Sequence, residues 1–363
     1  MGKIDELIQQ YCPDGVEYVN VGDVCDIHKG VQFNKSDMKE MGSYPVMNGG
    51  INPSGYAEVF NEDENTITIS QGGASAGYVN FLDSKFWLGA HCYALKPYSV
   101  VMNRYLYHYI KQSEITLQQC QYGAGIPALA KSTISSLEIP LPPLPVQEAI
   151  VNILDRFAVY AAELQAELQA RQQQYNYYRD TLLSFEGRED VQWKKLGEVL
   201  KIKNGRDYKH LNNGNVPVYG SGGVMTYVDT QVYDKPSVLI PRKGSIDKLY
   251  YVDCPFWNVD TIFYTEINAS IVIEKYVFYI LQKEHLEKLN TGGGVPSLTQ
   301  KVLNGVVIPI PPLSEQQRIV DILDRFDTLV NDLTQGLPAE IEARQQQYEY
   351  YRDQLLTFKR KEA

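Results

Sequence analysis

The sequence predicts an α+β chain: two pseudo-symmetric β-rich mixed domains joined by two long antiparallel spacer helices. Three observations lead there. Ala170–Phe185 (ARQQQYNYYRDTLLSF) and Ala343–Phe358 (ARQQQYEYYRDQLLTF) agree at thirteen of sixteen positions, 173 residues apart. Pro140–Phe157 (PLPPLPVQEAIVNILDRF) returns as Pro309–Phe326 (PIPPLSEQQRIVDILDRF) at an offset of 169. Each pair follows a stretch of short alternating strands broken by Gly, Asn and Pro, as in a mixed sheet. Self-similarity on this scale makes the chain a tandem of two half-molecules.

The expected order is a first domain with a short N-terminal helix at 1–145, a central spacer helix at 146–187, a second domain at 188–313 and a C-terminal spacer helix at 314–363. Ile139-Pro-Leu-Pro-Pro-Leu-Pro145 and Ile308-Pro-Ile-Pro-Pro-Leu313 mark the exits from the two domains. Proline lacks the amide donor and restricts the residue before it, so strands stop there and helices start. Ser314-Glu-Gln-Gln317 resembles a capping box, whereas Pro145 suits a first helical turn.

Apolar residues at Ile150, Ile153, Leu154, Phe157, Ala161, Leu164, Leu168, Tyr175, Tyr178 and Leu182 keep the three-and-four spacing of one helical stripe. A helix from Gln147 to Phe185 would be about 58 Å long, and one that long needs a partner helix. The segment from Glu315 to Phe358 is the candidate. The large intervening domain favours an antiparallel pair, and Gly336-Leu337-Pro338 predicts a kink or short loop. The first helix also contains Ala162-Glu-Leu-Gln165 followed by Ala166-Glu-Leu-Gln169, a direct four-residue repeat.

The repeat is out of phase with the chain ends. Val21-Gly-Asp-Val24 matches Leu196-Gly-Glu-Val199, and the residues before it resemble those after Asp180. The first dozen residues therefore read as the tail of a helix whose body lies near the C-terminus, so the two ends are expected to meet. Inside the domains the match is looser. Tyr44–Gly50 answers Val216–Gly223, Thr66–Gly73 answers Ser237–Gly244, Phe86-Trp87 answers Phe256-Trp257, and Tyr122–Pro127 answers Thr291–Pro296. The scaffold is shared and the contents are not.

With 363 residues the chain has room for roughly two or three domains, each with its own core. No apolar run approaches the ~20 residues of a membrane span, and Met1–Gly15 has no apolar signal core. Five cysteines without CxxC spacing point to reduced thiols and a cytoplasmic protein. No metal site is expected; His91 beside Cys92 is too little for one. Net charge is −10, yet residues 191–313 carry 14 basic and 11 acidic groups while residues 1–145 carry 9 and 15. Any binding to a polyanion would be local to a site, with much of the non-specific attraction left to another subunit.

The sequence has no GxxxxGK[ST] loop, no GxGxxG after a strand, and no HExxH, GxSxG or paired-carboxylate cluster, so no catalytic role is expected. The Gly-rich loops admit two readings. Small residues let backbone amides approach phosphates, with Arg242, Lys243, Ser245 and Lys248, or Gln71 and Ser75, reaching base edges. Equally, glycines close tight turns. Lys201, Lys203, Arg206 and Lys209 form a denser basic run around Tyr208, open to DNA contact or plain solvation.

A core alone would repeat only apolar positions. Arg171–Gln174, Arg179 and Asp180 nevertheless recur as Arg344–Gln347, Arg352 and Asp353. One reading is a single kind of partner surface bound twice about a two-fold axis, through Arg171, Gln174, Tyr178 and Arg179 and again through Arg344, Gln347, Tyr351 and Arg352. The other is a recent duplication whose helices merely pack on each other.

The two Pro-rich stops leading into Ile-Leu-Asp-Arg-Phe, the paired Ala-Arg-Gln-Gln-Gln-Tyr helices and the circularly permuted order together resemble the specificity subunit of type I restriction-modification systems, over essentially Met1 to Lys361. The resemblance implies two DNA target-recognition domains, each reading one half of a split, asymmetric site. It implies that the helices set the gap and dock two methyltransferase subunits carrying S-adenosylmethionine chemistry, joined by restriction subunits that use ATP and Mg. No cofactor is then expected in this chain. Base-contacting residues vary within the family and do not transfer by motif. Loop position and side-chain chemistry give Lys29, Gln71, Ser75 and Tyr122 in the first domain, and Lys201, Lys203, Arg206, Arg242, Lys243, Ser245 and Lys248 in the second. The rival readings are a single-chain restriction-methylation enzyme, whose methyltransferase motifs are missing, and a non-DNA scaffold with paired β-domains on a coiled coil.

Overall fold

A computed structural model describes residues 2–123, 125, 127–290, 294–332 and 335–362. It resolves into two compact units, 1–163 with 341–363, and 164–340. The Tyr122–Pro127 and Thr291–Pro296 match lies partly outside the described residues, at Ala124, Ile126, Thr291, Gly292 and Gly293.

The first unit begins with α1 (Gly2–Tyr11), β1 (Tyr18–Asn20), α2 (Val21–Val24) and β2 (Cys25–Lys29). It continues through β3 (Tyr44–Met47), β4 (Tyr56–Ala57), β5 (Thr66–Ser70), β6 (Val79–Leu82), β7 (Trp87–Leu88) and β8 (Cys92–Pro97). Then come α3 (Asn103–Gln112), α4 (Glu114–Gln119), α5 (Lys131–Ser135), β9 (Glu138–Pro140) and the start of α6 (Leu144–Leu182). The expected mixed sheet is in fact three pieces: an antiparallel β2-β8-β5-β6 sheet, a β4-β3-β7 sheet whose β3 and β7 run parallel, and a β1-β9 ribbon. All five residues of β5, Thr66-Ile-Thr-Ile-Ser70, are buried, as a β-branched interior strand should be.

The second unit repeats this plan. It holds the rest of α6, then β10 (Gln192–Lys195), α7 (Leu196–Val199), β11 (Leu200–Asn204), β12 (Asn213–Gly220), β13 (Gly223–Val228) and β14 (Ser237–Pro241). After these come β15 (Tyr250–Val252), β16 (Trp257–Asn258), β17 (Ile262–Ile267), α8 (Glu274–Lys283), α9 (Gln300–Asn304), β18 (Val307–Ile310) and α10 (Leu313–Asn331). The sheets are β11-β17-β14-β15, β13-β12-β16 and β10-β18, strand for strand the order of the first unit.

Each Pro-rich stop is pinned the same way. Tyr105 on α3 donates its hydroxyl to the Pro140 carbonyl at 2.9 Å, and Tyr276 on α8 to that of Pro309 at 3.0 Å. Gln147 accepts from the Met102 amide and donates to the Pro142 carbonyl; Gln316 does the same with Ile273 and Pro311. The expected capping box from Ser314 to Gln317 does not form, and Gln317 donates to Asp321 instead. The helix starts at Leu313 with Pro312 as its cap and no side-chain cap bond; Gln316 and Ser314 lie inside the first turn, the glutamine turned to the core.

The expected second spacer is two helices, α10 and α11 (Leu337–Leu355), with the break where Gly336 was singled out. A Cβ at Gly336 would lie 2.5 Å from the Thr328 carbonyl oxygen and 2.8 Å from that of Asp332. Only glycine allows the chain to pass so close to the end of α10. In the first unit the chain ends do meet. Val16 donates to the Lys359 carbonyl and accepts from the Lys361 amide, Tyr18 donates to the Phe358 carbonyl, and Arg360 pairs with Glu138 at 2.7 Å.

Candidate nucleic-acid interface

In the second unit Asn204 and Ile240 both pair with Phe263, so β11 and β14 leave their sheet at one end. Arg206 follows β11 there, and Arg242, Lys243, Ser245 and Lys248 follow β14. The turn after β12 joins them: the Ser221 amide donates to Thr261 Oγ1, and the Tyr250 hydroxyl to the Ser221 carbonyl at 3.2 Å. Arg206, Lys243 and Lys248 are exposed, Arg242 and Ser245 half-buried. None of the four basic side chains makes an ion pair among the described residues. Lys203 sits on β11 with its ammonium 3.4 Å from Glu266. Lys201 is exposed at the opposite end of the strand, one residue after its start, and the fold does not bring it to this loop cluster.

The first unit builds the same address with other side chains. Lys29 and Ile69 both pair with Tyr93. Gln71 donates its amide to the His91 carbonyl and accepts from Leu129, as Arg242 does with Thr261 and Leu298. Gln71 and Arg242 therefore occupy equivalent positions. Ser75 lies half-buried in the same turn, where its carbonyl accepts from Tyr78, and Tyr122 is exposed beside it, bridged to Ala128.

A residue that sequence reasoning missed is Val31. Trp87 Nε1 donates to the Val31 carbonyl at 3.0 Å, and Trp257 Nε1 to the Arg206 carbonyl at 3.0 Å. The Val31 amide in turn donates to Leu88 and the Arg206 amide to Asn258. The preceding glycines make the approach possible: a Cβ on Gly30 would fall 2.3 Å from the Gly89 carbonyl oxygen, and one on Gly205 2.0 Å from that of Val259. Val31 and Arg206 stand 175 positions apart, the offset already set by Val21–Val24 and Leu196–Val199. That offset was the signal.

On the helices the repeated residues divide by direction. Within the first unit Tyr351 stacks on Phe157 (5.5 Å, 28°) and the Arg344 guanidinium lies over Tyr160 (5.4 Å), so α6 and α11 run antiparallel there. Within the second unit Tyr178 stacks on Phe326 (5.3 Å, 27°). Arg179 is buried and Arg352 half-buried; they pair with Asp180 and Asp353. Arg171 and Arg344 each donate to the glutamine three residues on, Gln174 and Gln347. The outward side carries Tyr177 and Tyr350, 67% and 61% exposed. In the first unit Ile153, Arg156, Phe157, Tyr160, Arg344 and Gln347 line a groove of about 380 Å³.

Two segments of the chain, 13–171 and 188–343, match the family model described as type I restriction modification DNA specificity domain. The chain belongs to that family. Membership makes DNA recognition its role, with the two β-rich domains as its two copies. The chain is similar to the EcoR124I/EcoR124II specificity subunit of Escherichia coli, 38% identical over 268 residues, which are 64% of this chain and 66% of that one. It is also similar to a protein of Haemophilus influenzae assigned as a type I restriction enzyme specificity subunit, 31% identical over 354 residues, 89% of this chain and 90% of that one. Its fold matches the crystal structure of a type I restriction-modification S subunit from M. genitalium with a TM-score of 0.70, at 22% identity, covering 94% of this chain and 96% of that one. The specificity fold thus accounts for the doubled architecture. No helix among the described residues is long and apolar enough to cross a membrane.

Proposed function

We propose that each β-rich domain reads one half of a bipartite, asymmetric DNA site, and that the chain itself does no chemistry. The observation that carries this is the pair of equivalent backbone addresses filled differently: Gln71 against Arg242, and Val31 against Arg206. A shared scaffold with exchanged side chains is what two different half-sites require. Unpaired Arg206, Arg242, Lys243 and Lys248 would contact phosphates or guanine edges in the second half-site, while Lys201, at the far end of β11, and Lys203, paired with Glu266, would stand outside the contact cluster. Lys29, Gln71, Ser75 and Tyr122 would serve the first.

The twice-written helix face would dock two methyltransferase subunits, through Arg171 and Gln174 on one helix and Arg344 and Gln347 on the other; Tyr178 and Tyr351, stacked in the seams, and Arg179 and Arg352, held by Asp180 and Asp353, would support that face from within instead of meeting the partner. S-adenosylmethionine, ATP and Mg would then reside on the methyltransferase and restriction subunits of a cytoplasmic complex. The test is co-purification with the candidate methyltransferase, then methylome sequencing and a gel shift on the mapped target at two salt concentrations. A split, asymmetric target bound tighter than random duplex supports the reading. A single continuous target, or binding indifferent to sequence, overturns it.

A further inference from the structure

Val31 stands out as an apolar residue, largely exposed, on a tightly held main chain. It is 61% exposed, yet its main chain is fixed at both ends, by the Trp87 indole on its carbonyl and by its own amide on the Leu88 carbonyl. Trp87 is itself braced edge-on by Phe33 at 4.9 Å. Gly30 has no room for a side chain, so this strap cannot slide. A β-branched residue adds few rotamers of its own. The fold thus spends a tryptophan, a glycine and two main-chain hydrogen bonds on holding one exposed valine.

The second unit holds Arg206 in the same clamp, with the indole bond again 3.0 Å and the main-chain bond 2.8 Å against 2.9 Å. Both clamped residues lie at the sheet end where the variable loops gather. Gly30 donates to the Cys92 carbonyl on one side of β8, while Ser70 pairs with Cys92 on the other. Val31 and Gln71 therefore leave from strands about 10 Å apart, which is close to three base pairs of duplex.

Resting on the DNA-recognition reading, we propose that the clamped position is a base-reading address in both domains, and that Val31 contacts the 5-methyl group of a thymine in the first half-site. An exposed apolar side chain at a nucleic-acid surface matches the one apolar feature of the major groove, the thymine methyl; an arginine at the same address matches guanine.

The experiment uses the chain assembled with its methyltransferase subunits and the target mapped by methylome sequencing. Each thymine of the first half-site is replaced in turn by deoxyuridine, which removes only the methyl. For the unaltered complex, one position should weaken binding by about fourfold, the worth of one buried methyl-sized group. Val31→Ala should bind intact target about fourfold less tightly and lose the response at that position alone. On the deoxyuridine duplex the two proteins should bind equally, which shows that the variant is folded. The proposal is overturned if no thymine of that half-site responds, if Val31→Ala responds as the unaltered complex does, or if Val31→Ala is weaker on every duplex by one factor. If the unaltered complex does not prefer its mapped target at all, DNA recognition itself fails, and the proposal with it.

Discussion

Phe157 and Tyr351 face each other across the first unit's helix seam with centroids 5.5 Å apart and planes 28° from parallel. Their counterparts in the sequence repeat, Phe326 and Tyr178, meet at 5.3 Å and 27° in the second unit. In each unit the phenylalanine comes from one repeated block and the tyrosine from the other copy's tail, so each seam needs both halves of the chain. Replacing Phe157 by Ala should cost about 2 kcal/mol, less than for a fully buried ring because the site is half-exposed. A double-mutant cycle with Tyr351→Ala should return a coupling of about 1 kcal/mol. Chemical denaturation measures both, and additive single effects would show that the rings do not support one another.

Assembly is predicted to depend on the outward tyrosines as well as the arginines. Tyr177 and Tyr350 each rest edge-on against the stacked ring beside them, at 5.6 Å and 5.5 Å, leaving a large aromatic surface to solvent. Aromatic and arginine side chains are the usual anchors of an interface. Tyr177→Ala with Tyr350→Ala should leave the melting temperature unchanged while weakening methyltransferase binding by at least about tenfold, or 1.4 kcal/mol. Charge reversal of Arg171 and Arg344 together should weaken assembly more than either alone. Native mass measurement checks the count; one methyltransferase subunit per chain would refute the two-fold argument.

The first unit should be the acid-sensitive one. His108 Nε2 lies 2.7 Å from Asp155, which Arg104 also holds; the equivalent contacts in the second unit are Tyr279 and Lys275 on Asp324. Burial keeps the His108 imidazole below its ordinary value of 6.5, even though the Asp155 carboxylate pulls the other way. Burial pushes Asp155 up, but hydrogen bonds from His108 and Arg104 win and hold it at about 2. A depressed histidine takes its proton more readily when unfolded, so stability is lost as pH falls from 6.5 toward the folded value. Asp155 removes more as pH falls from 3.8 toward about 2. Hydrogen exchange at pH 7.5 and pH 5 should show α3 opening more readily at the lower pH while α8 does not. His108→Tyr, which copies the second unit, should flatten the difference.

Arg242 is predicted to carry more DNA affinity than its counterpart Gln71. Neutralising it to Gln should reduce the slope of log affinity against log salt by about one if it meets a phosphate. If it reads a guanine it should also relax one position of the second half-site by about 1–3 kcal/mol. An unchanged slope with unchanged preference would place it outside the interface.

The sequence was most informative where the repeat constrained it. Helix stripe residues such as Ile150, Leu154 and Tyr175 are buried as their spacing predicts, because one face of a long helix must find cover. The meeting of the chain ends was legible in the phase of the repeat, and the break at Gly336 in its Gly-Leu-Pro. Ser314 misled because a capping box is a local pattern, whereas the bonds that tie Gln316 to Ile271 and Ile273 join residues more than 40 positions apart. Val31 was invisible to a search for charge. Its clamp joins Trp87, 56 residues away, and an isolated valine in a loop carries no chemical signature. Lys201 was grouped with Arg206 by proximity in sequence, whereas an extended strand separates them by about 3.3 Å per residue.

The last prediction concerns the length of α6. The helix runs unbroken from Leu144 to Leu182 and contains Ala162–Gln165 and Ala166–Gln169 in tandem. Four residues add about 6 Å of rise and about 400° of rotation, so losing one unit shortens the helix while turning its apolar stripe by only about 40°. Leu164 and Leu168 occupy the same place in the two units of the tandem, one buried and one partly buried. Deleting Ala166–Gln169 would therefore keep Leu164 on the stripe and move Gln172 into the place of Leu168. Against a duplex rise of about 3.4 Å per base pair, 6 Å is at most roughly two base pairs. The deletion should shorten the unread gap between half-sites by about one or two base pairs and leave both half-sites unchanged. The competing possibility is that the break between α10 and α11 absorbs the lost turn and the tandem is filler. Methylome sequencing of a strain carrying the deletion separates the two. An unaltered gap means filler, and altered letters in either half-site mean that α6 shapes the reading domains instead of spacing them.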